Sequence, residues 1–534
     1  MKSEIKPSQE VHPAQIEQST ETQDDNSIRN EGVFSESSDL NYPHGIKLAV
    51  IISSLAISVF LVALDETIIT TAIPKITNDF RSIQDIGWYG SAYFMPFAAF
   101  QLIFGKLFSF YPIKYVFLAS IFIFEVGSLI CGTAPTSSVF ILGRAIAGLG
   151  SAGINAGFII QNFSKFTSTR KEANISPLLG GAFTTKLTWR WCFYINLPIG
   201  GIALLSMAVL FHPPKAERQP STWREKIGQM DLLGTAVLVP GIFCLLLALQ
   251  LGGSVYEWNT AKPIALVIIA AASGLVFVLI QCQKQDSATL PPRIIKQRSV
   301  ACSACYVFHA GGALSIFHYF LPIWFQAIQG ITAFDSGTRI LPTTVNTVIF
   351  SVIAGIAVAK WGYYTPLMIQ GASLLTVGGS LMTSLEVSAS AGEWIGYQII
   401  VSAGAGLGIQ QAHTAAQTVL PSADVPTGAV VIIFAQILGS TVWLSVAQQV
   451  MTSQLRRGLS AISGLDPNLV FDNGATGFRT IVEPKFIGGV LHAYNAALTR
   501  TFLFAVALAA VALVSAVAVE FRSVKKVSSS IKQR

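Results

Sequence analysis

Long apolar stretches separated by short polar connections follow one another from about residue 47 to residue 520. Many of them reach roughly 20 residues, the length that an α-helix needs to cross a bilayer. Because lipid offers no partner for backbone N–H and C=O groups, each stretch is predicted to be a helix. An all-α polytopic membrane protein is therefore expected. The helices to which the pattern assigns bounds are 47–72, 87–108, 115–134, 140–160, 192–211, 231–251, 263–281, 300–327, 394–418, 427–452 and 500–520.

Composition points to the same class of protein. Of the 534 residues, 52% are hydrophobic and 12% are charged, and the mean hydropathy is +0.56. Soluble domains carry about 25% charged residues. The net charge of +7 is therefore interpreted loop by loop, as membrane topology requires, and no nucleic acid partner is expected. The expected partner is the lipid bilayer, and a monomer is the expected state.

No motif for ATP-driven or redox chemistry stands out in the sequence. The P-loop pattern GxxxxGK[ST] does not occur. Residues 148–153 match GxGxxG, but a dinucleotide site needs a preceding strand, and none is predicted there. Cys302 and Cys305 form an isolated CxxC inside a predicted helix, where small packing residues are the expected interpretation. The chain is therefore expected to be no enzyme, to hold no cofactor or metal, and to act as a gradient-driven carrier.

Three of the charged side chains inside predicted membrane helices are candidates for function, whereas Glu66, beside Asp65, is assigned to the membrane interface. Asp65 lies toward the end of the first, Glu125 in the third and Arg144 in the fourth. Charges in a bilayer are costly, so they are expected to face protein or a water-filled path and to be functional. All three are candidate proton-coupling residues. Arg144 could instead be structural, and Glu125 could pair with Arg144 or bond a backbone group.

Small residues and amides mark helices that pack closely or face a polar path. Small residues at helical spacing let two helices approach each other. The glycines predicted to do so in the fourth helix are Gly148, Gly150 and Gly153. Amides in lipid need partners, so they are expected either to face the substrate cavity or to join helices. The candidate amides for the cavity are Asn196, Gln410, Gln411 and Gln436.

Three sequence patterns resemble those of a known transporter family. Arg144 begins the pattern RxxxGxG, residues 64–74 match LDxTIxxxAxP, and residues 189–200 match WRWxFxINxPIG. Together they resemble the fungal fourteen-helix drug:proton antiporters of the major facilitator superfamily. In that family the arginine is linked to proton coupling. At residues 105–114 the chain departs from the family's motif A, because the acidic residue and most basic residues are absent. The tryptophans and arginine of the last pattern are expected to anchor at the outer membrane interface.

The fifth helix of this family is incomplete in the chain. Residues 161–174 are polar, and the apolar segment 175–185 would span roughly 16 Å as a helix, against about 30 Å of hydrocarbon. The remnant of the family's antiporter motif GPxxGG is Pro177, Gly180 and Gly181. Basic loops follow both the fourth and the sixth helix, so the chain should return outward between them. A truncated fifth helix is therefore predicted, through a mispredicted exon or a real deletion.

The resemblance implies the fold of the major facilitator superfamily, with two six-helix bundles and two inserted helices. The inserted pair, 231–251 and 263–281, is expected to face lipid and to carry no site residues. The expected division is a disordered cytoplasmic tail at 1–46, an N-terminal bundle of helices 1–6 at 47–211, two inserted helices with basic loops at 212–299, a C-terminal bundle at 300–520 and a basic cytoplasmic tail at 521–534.

The resemblance also implies a function. The chain is expected to export drugs, mycotoxins or other secondary metabolites, which are amphipathic small molecules, against an inward flow of protons by alternating access. The cell membrane is the expected location, with a vacuolar or vesicle membrane as the alternative. Two other functions stay open: proton-coupled uptake of a siderophore or other metabolite, and a non-transporting or inactive remnant, which the incomplete fifth helix favours.

Overall fold

A computed structural model describes residues 46–80, 85–162, 188–211, 231–253, 256–285, 288–421, 424–471 and 474–525. Within these ranges the protein is helical, and ten of the helices are long and apolar enough to cross a membrane. The predicted all-α membrane class is confirmed. The helices are α1 Ile46–Phe80, α2 Ile86–Phe110, α3 Ile113–Thr133, α4 Ser137–Asn162, α5 Trp191–Tyr194, α6 Asn196–Leu210, α7 Leu232–Leu251, α8 Ala261–Lys284, α9 Pro292–Ile295, α10 Arg298–Ala327, α11 Ala333–Trp361, α12 Thr365–Met382, α13 Ala391–Val419, α14 Val425–Ser460, α15 Pro467–Phe471, α16 Gly474–Ile481 and α17 Pro484–Val517.

The ends of several helices differ from the sequence prediction. The first helix was expected to end at residue 72, but α1 continues through Pro74 to Phe80. A proline removes a single backbone donor, and membrane helices tolerate this where neighbouring groups compensate. The sixth predicted helix begins with the short turn α5 and continues as α6.

The last membrane helix begins earlier than predicted. The predicted helix was 500–520, whereas α17 runs unbroken over the 34 residues Pro484–Val517. Val490, Tyr494 and Ala497 are all buried and lie four and three residues apart, so one face continues into the apolar half of the helix.

The helix α4 and the pair α5–α6 begin at the same end of the molecule. Trp189, just before α5, packs on Phe140 near the start of α4, with ring centroids 5.5 Å apart. At the opposite end of α6, the Lys114 ammonium donates to the Ala208 carbonyl at 2.6 Å. The two helices therefore run in the same direction, as the positions of the basic loops predicted. The fifth helix that would join them, with Pro177, Gly180 and Gly181, lies outside the described residues.

The two inserted helices play different parts in the packing. α8 faces outward, and its exposed apolar side chains include Ile268 and Leu275. α7, in contrast, lies in the seam between α2 and α14. A buried cluster joins the three helices through Met95, Ala99 and Leu102 of α2, Ile242 and Leu246 of α7, and Val430 and Phe434 of α14. The expectation that the inserted helices face lipid therefore describes α8, whereas one side of α7 packs against α2 and α14.

The tails and domain boundaries remain predictions. Residues 1–45 and 526–534, which make up most of the predicted cytoplasmic tails 1–46 and 521–534, lie outside the described part of the chain. Most of the basic loop that follows α6 lies outside it as well. The division at residues 211 and 299 into bundles and inserted helices stays an expectation.

Candidate functional site

The structure brings Asp65 of α1 and Arg144 of α4 into direct contact. Arg144 Nη1 lies 2.5 Å from Asp65 Oδ2, and the exposed fractions of the two side chains are 0% and 1%. In so buried a place each charge needs the other, since an isolated ion would lose its hydration without compensation. The two residues that the sequence placed on different helices thus form one neutral unit.

The guanidinium of Arg144 is held from a second side by α2. Its Nε donates to the Tyr89 carbonyl at 3.0 Å, and its Cζ lies 4.4 Å from the centre of the Tyr93 ring. The Tyr93 hydroxyl in turn donates to Ser151 Oγ of α4 at 2.6 Å. These contacts fix the orientation of the arginine between three helices.

The ion pair leaves two hydrogen-bonding atoms unused. Asp65 Oδ1 and Arg144 Nη2 are both buried, and neither has a hydrogen-bond partner among the described residues. Buried polar atoms in native proteins are nearly always paired. The open acceptor on Asp65 can take a proton, and the open donor on Arg144 can take a second partner.

The three predicted packing glycines of α4 lie where other helices come closest. A Cβ on Gly148 would overlap the backbone of Tyr93 in α2, and one on Gly150 would overlap the backbone of Phe124 in α3. A Cβ on Gly153 would meet Ser120 of α3. This close approach brings α4 near enough to α2 for Arg144 to reach the Tyr89 carbonyl.

Glu125 lies apart from the ion pair, at the junction of α3 and α6. Its two carboxylate oxygens are buried and have no hydrogen-bond partner within the described ranges. Arg144 pairs with Asp65 rather than with Glu125. Neither alternative that the sequence left open, an arginine partner or a backbone partner, is therefore realised in this structure.

The four predicted cavity amides do not converge on one place. Asn196 is fully buried between α3 and α6, where its Nδ2 donates to Ser128 Oγ at 3.1 Å. Gln436 of α14 packs against Gly311 of α10. On α13, Gln411 is buried, whereas its neighbour Gln410 is exposed. The structure thus places only Gln410 on an open face.

A polar stripe on α13 was missed by the sequence analysis. Gln410, His413, Thr414 and Gln417 lie three, four and seven residues apart and share one face, and all four are exposed or half-buried. Polar groups exposed on a membrane helix are expected to face a water-filled space rather than lipid. The helical spacing of these four residues was readable from the sequence and could have identified the stripe.

Trp189 is a packing residue and not an interface anchor. Its side chain is 1% exposed, and its Nε1 donates to Asp79 Oδ2 at the end of α1 at 2.7 Å. The Arg190 guanidinium lies 4.5 Å from the centre of its ring. Trp191, which is 47% exposed, is the tryptophan that fits the anchoring role. The expectation of an interfacial anchor is therefore wrong for Trp189.

Comparison with known proteins gives the family. Residues 11–359 match the model of the fungal trichothecene efflux pump family. The chain belongs to this family. It is a transporter and not an enzyme, and it is a multi-pass membrane protein.

Full-length relatives are named as efflux pumps. An MFS-type efflux pump of Arthroderma benhamiae is 47% identical over 501 residues, covering 91% of this chain and 94% of the relative. A rubrofusarin-specific efflux pump of Gibberella zeae is 43% identical over 498 residues, covering 91% of each. The predicted family resemblance is confirmed, and its relatives support an exporter role.

Solved structures confirm the fold of the major facilitator superfamily. A bacterial homologue of the lysosomal transporter Spinster, in an inward-facing conformation, aligns over 90% of this chain and 98% of its own, with a TM-score of 0.52 and 15% identity. The nucleoside transporter NupG aligns over 88% of this chain and 99% of its own, with a TM-score of 0.52 and 12% identity. At these identities the likeness concerns the fold alone.

Proposed function

We propose that the protein is a proton-coupled secondary active exporter of amphipathic small molecules, such as mycotoxins or other secondary metabolites. The observation that carries this proposal is the buried ion pair of Asp65 and Arg144, which joins α1 to α4 and keeps one acceptor and one donor unused. A carboxylate that can be neutralised by a proton next to a fixed cation is the arrangement that proton coupling needs.

The coupling step is the protonation of Asp65. A proton on this carboxylate removes the charge that holds Arg144, so the electrostatic attraction between α1 and α4 is lost. Arg144 keeps its charge, because guanidinium groups do not deprotonate in proteins. It must then find another partner, and the change of partner favours a different arrangement of the helices. Alternating access follows if this arrangement opens the cargo path to the opposite side.

The cargo path is proposed to run along the polar stripe of α13. Gln410 is the first residue of this stripe, and Gln411 and Gln436 stay candidates for the cavity wall. Polyspecific pockets are mostly apolar with a few polar groups, which suits an amphipathic cargo. The name of the Gibberella zeae relative, a rubrofusarin-specific efflux pump, makes rubrofusarin a reasonable first probe.

Transport by the purified full chain in lipid vesicles tests the proposal. Rubrofusarin and the lipophilic dye rhodamine 6G serve as probes, and a proton gradient is imposed across the membrane. We expect probe to move against the proton flow, and Asp65→Asn and Arg144→Gln to abolish this movement. Probe movement along the proton flow would favour uptake instead. Gradient-driven export that is unchanged in both variants would refute the assignment.

A second candidate, a non-transporting remnant, is favoured by the short apolar segment 175–185. A family member with an incomplete fifth helix would lack part of the wall of its N-terminal bundle. Sequencing of the transcript decides whether this junction is expressed. If it is expressed and the vesicles accumulate neither probe under either gradient, the remnant is the better interpretation.

The proposed location is the cell membrane, where export removes a toxic product from the cell. Fluorescence of a tagged chain at the cell boundary is the expected result. Fluorescence confined to vacuoles or vesicles would instead indicate storage of the cargo in a compartment.

A further inference from the structure

Two pairs of side chains meet where α3 crosses α6. Glu125 and Ser128 lie three residues apart on α3, and Asn196 and Gly200 lie four residues apart on α6. At this spacing each pair occupies one helix face. Asn196 Nδ2 donates to Ser128 Oγ at 3.1 Å, and a Cβ on Gly200 would overlap Glu125 Oε1. The carboxyl group therefore fills the space that the missing side chain of Gly200 leaves.

If Glu125 is ionised, this junction contains buried acceptors that have no donor to pair with in the described part of the chain. Both of its oxygens are buried acceptors without a partner, and Asn196 Oδ1 is a third such acceptor, counting the described residues. An ionised glutamate offers no donor, whereas a protonated one offers one O–H. A proton on Glu125 supplies the donor that this group of acceptors lacks.

The charges around Glu125 also favour its protonated, neutral form. α6 carries no titratable side chain, and α4 carries only Arg144, which is engaged with Asp65. α1 contributes Asp65, whose negative charge disfavours a second negative charge on the buried Glu125. An ionised Glu125 would thus be a desolvated charge without a cation, which is strongly unfavourable.

We propose that Glu125 is a second protonation site of the transporter, which holds a proton while Asp65 is ionised and gives it up when Asp65 is protonated. The inference rests on the proposed function. In the first state Asp65 and Arg144 cancel and Glu125 is neutral. In the second state Asp65 is neutral and the ionised Glu125 balances Arg144, whose Nη2 is free for a new partner. One proton is gained and one is lost, so the interior has no net charge in either state.

Infrared spectroscopy tests this inference without any transport measurement. The purified full chain in lipid vesicles at neutral pH should show the carbonyl stretch of a protonated carboxylic acid. We expect Glu125→Gln to remove this band. We expect Arg144→Gln to strengthen it, because Asp65 then loses its cation and takes a proton as well. A wild-type band that persists unchanged in Glu125→Gln would overturn the proposal.

Two neighbouring glycines of α6 provide a matched control. A Cβ on Gly200 would displace the Glu125 carboxyl, whereas one on Gly201 would meet nothing within 4 Å. Gly200→Ala should therefore shift or abolish the band, and Gly201→Ala should leave it as in the wild type. Equal spectra for both variants and the wild type would contradict the placement of the proton beside Gly200.

Transport separates the failure of this inference from the failure of the proposed function. With rhodamine 6G as the probe, Glu125→Gln should lose gradient-driven transport, because a glutamine cannot release a proton when Asp65 takes one up. Gradient-driven accumulation should fall to the level of empty vesicles. If Glu125→Gln accumulates dye like the wild type while Asp65→Asn does not, the second site is refuted and the proposed function stands. If Asp65→Asn also accumulates dye, the proposed function itself falls.

Discussion

Asp65 of α1 and Arg144 of α4 form an ion pair, 2.5 Å between Nη1 and Oδ2, from which solvent is excluded. Removal of one partner from such a pair leaves an uncompensated buried charge and typically costs about 3–5 kcal/mol, whereas replacing both by neutral groups is often close to neutral. The pair is therefore more than a contact between two helices. It makes the packing of α1 against α4 depend on the charge of a single carboxyl group.

This dependence predicts a non-additive pattern of stability. Asp65→Asn and Arg144→Gln should each lower the melting temperature in detergent, because Asp65→Asn leaves Arg144 without its carboxylate and Arg144→Gln forces Asp65 to take up a proton at neutral pH. The double variant should recover most of the loss, since no charge remains, and it should stay inactive in gradient-driven transport. Thermal unfolding of the four proteins checks this prediction. A double variant that is as unstable as the sum of the two single variants would show that the charges are not coupled.

Because α4 approaches α2 closely, a single added methyl group at Gly148 is expected to destabilise the protein. Gly148→Ala places a Cβ against the backbone of Tyr93, which cannot move as a flexible side chain can. Overpacking of this kind typically costs about 1–3 kcal/mol. We expect a lower melting temperature and weaker transport, because Arg144 one turn earlier loses its position. Gly274→Ala on α8, where a Cβ would meet nothing within 4 Å, is the matched control and should behave like the wild type.

Trp189 and Trp191 provide a second matched pair. Trp189→Phe removes the indole N–H that donates to Asp79 at 2.7 Å and opens a gap in a buried aromatic cluster. A hydrogen bond to a charged group contributes about 1.5–3 kcal/mol, and less where the acceptor is partly exposed. A clear drop in melting temperature is expected for Trp189→Phe and little change for the exposed Trp191→Phe. Equal melting temperatures for the two variants would argue against a structural role for the buried indole.

The fold was largely predictable because lipid leaves the backbone few choices. A long apolar stretch has to be a helix, so the class and most helix positions follow from hydropathy alone. The ends were less predictable, because Pro74 suggests a helix end although α1 continues to Phe80. The charged residues Asp65 and Arg144 were recognised from their cost in lipid. Their pairing was not, since the sequence does not say which faces of α1 and α4 meet.

Amides and tryptophans were harder to interpret than charges. Asn196 and Gln410 look alike in the sequence, yet Asn196 joins α3 to α6 and Gln410 lies on an open face. An amide satisfies its hydrogen bonds either from another helix or from water, and the choice depends on tertiary packing. Trp189 and Trp191 are likewise indistinguishable by residue type. Tertiary packing buries the first and exposes the second.

Asp231, the residue before α7, predicts a pH dependence of stability. Burial raises the pKa of its carboxyl, but hydrogen bonds from Gln281, Thr289 and Lys284 outweigh that effect and hold the pKa below its ordinary value. A group whose pKa is lower in the folded state adds stability above its unfolded pKa of about 3.9, and this stability is lost as the pH falls through the folded value. Acid should therefore destabilise the wild type more steeply than Asp231→Asn.

Melting temperatures measured from neutral to acidic pH check this expectation. At neutral pH Asp231→Asn should be the less stable protein, because an amide cannot accept all the hydrogen bonds that the carboxylate accepts. The difference between the two proteins should shrink as Asp231 takes up its proton. A difference that stays constant over the whole acidic range would show that the carboxylate charge does not contribute.

The carboxyl end of α7 is predicted to tether α2 to α14 across the seam between them. Gln250 Oε1 accepts a hydrogen bond from Ser91 of α2 at 3.3 Å, and the Gln250 carbonyl accepts one from Gln449 of α14, also at 3.3 Å. Gln250→Leu removes the first bond and leaves the Ser91 hydroxyl buried without that acceptor, at a cost of about 1–3 kcal/mol. Hydrogen–deuterium exchange should then rise near Ser91 and Gln449, because the seam opens locally more often. Gln283→Leu, at an exposed position of α8, is the control and should leave the exchange unchanged. If hydrogen–deuterium exchange in both variants equals that of the wild type, apolar packing alone holds α7 between α2 and α14.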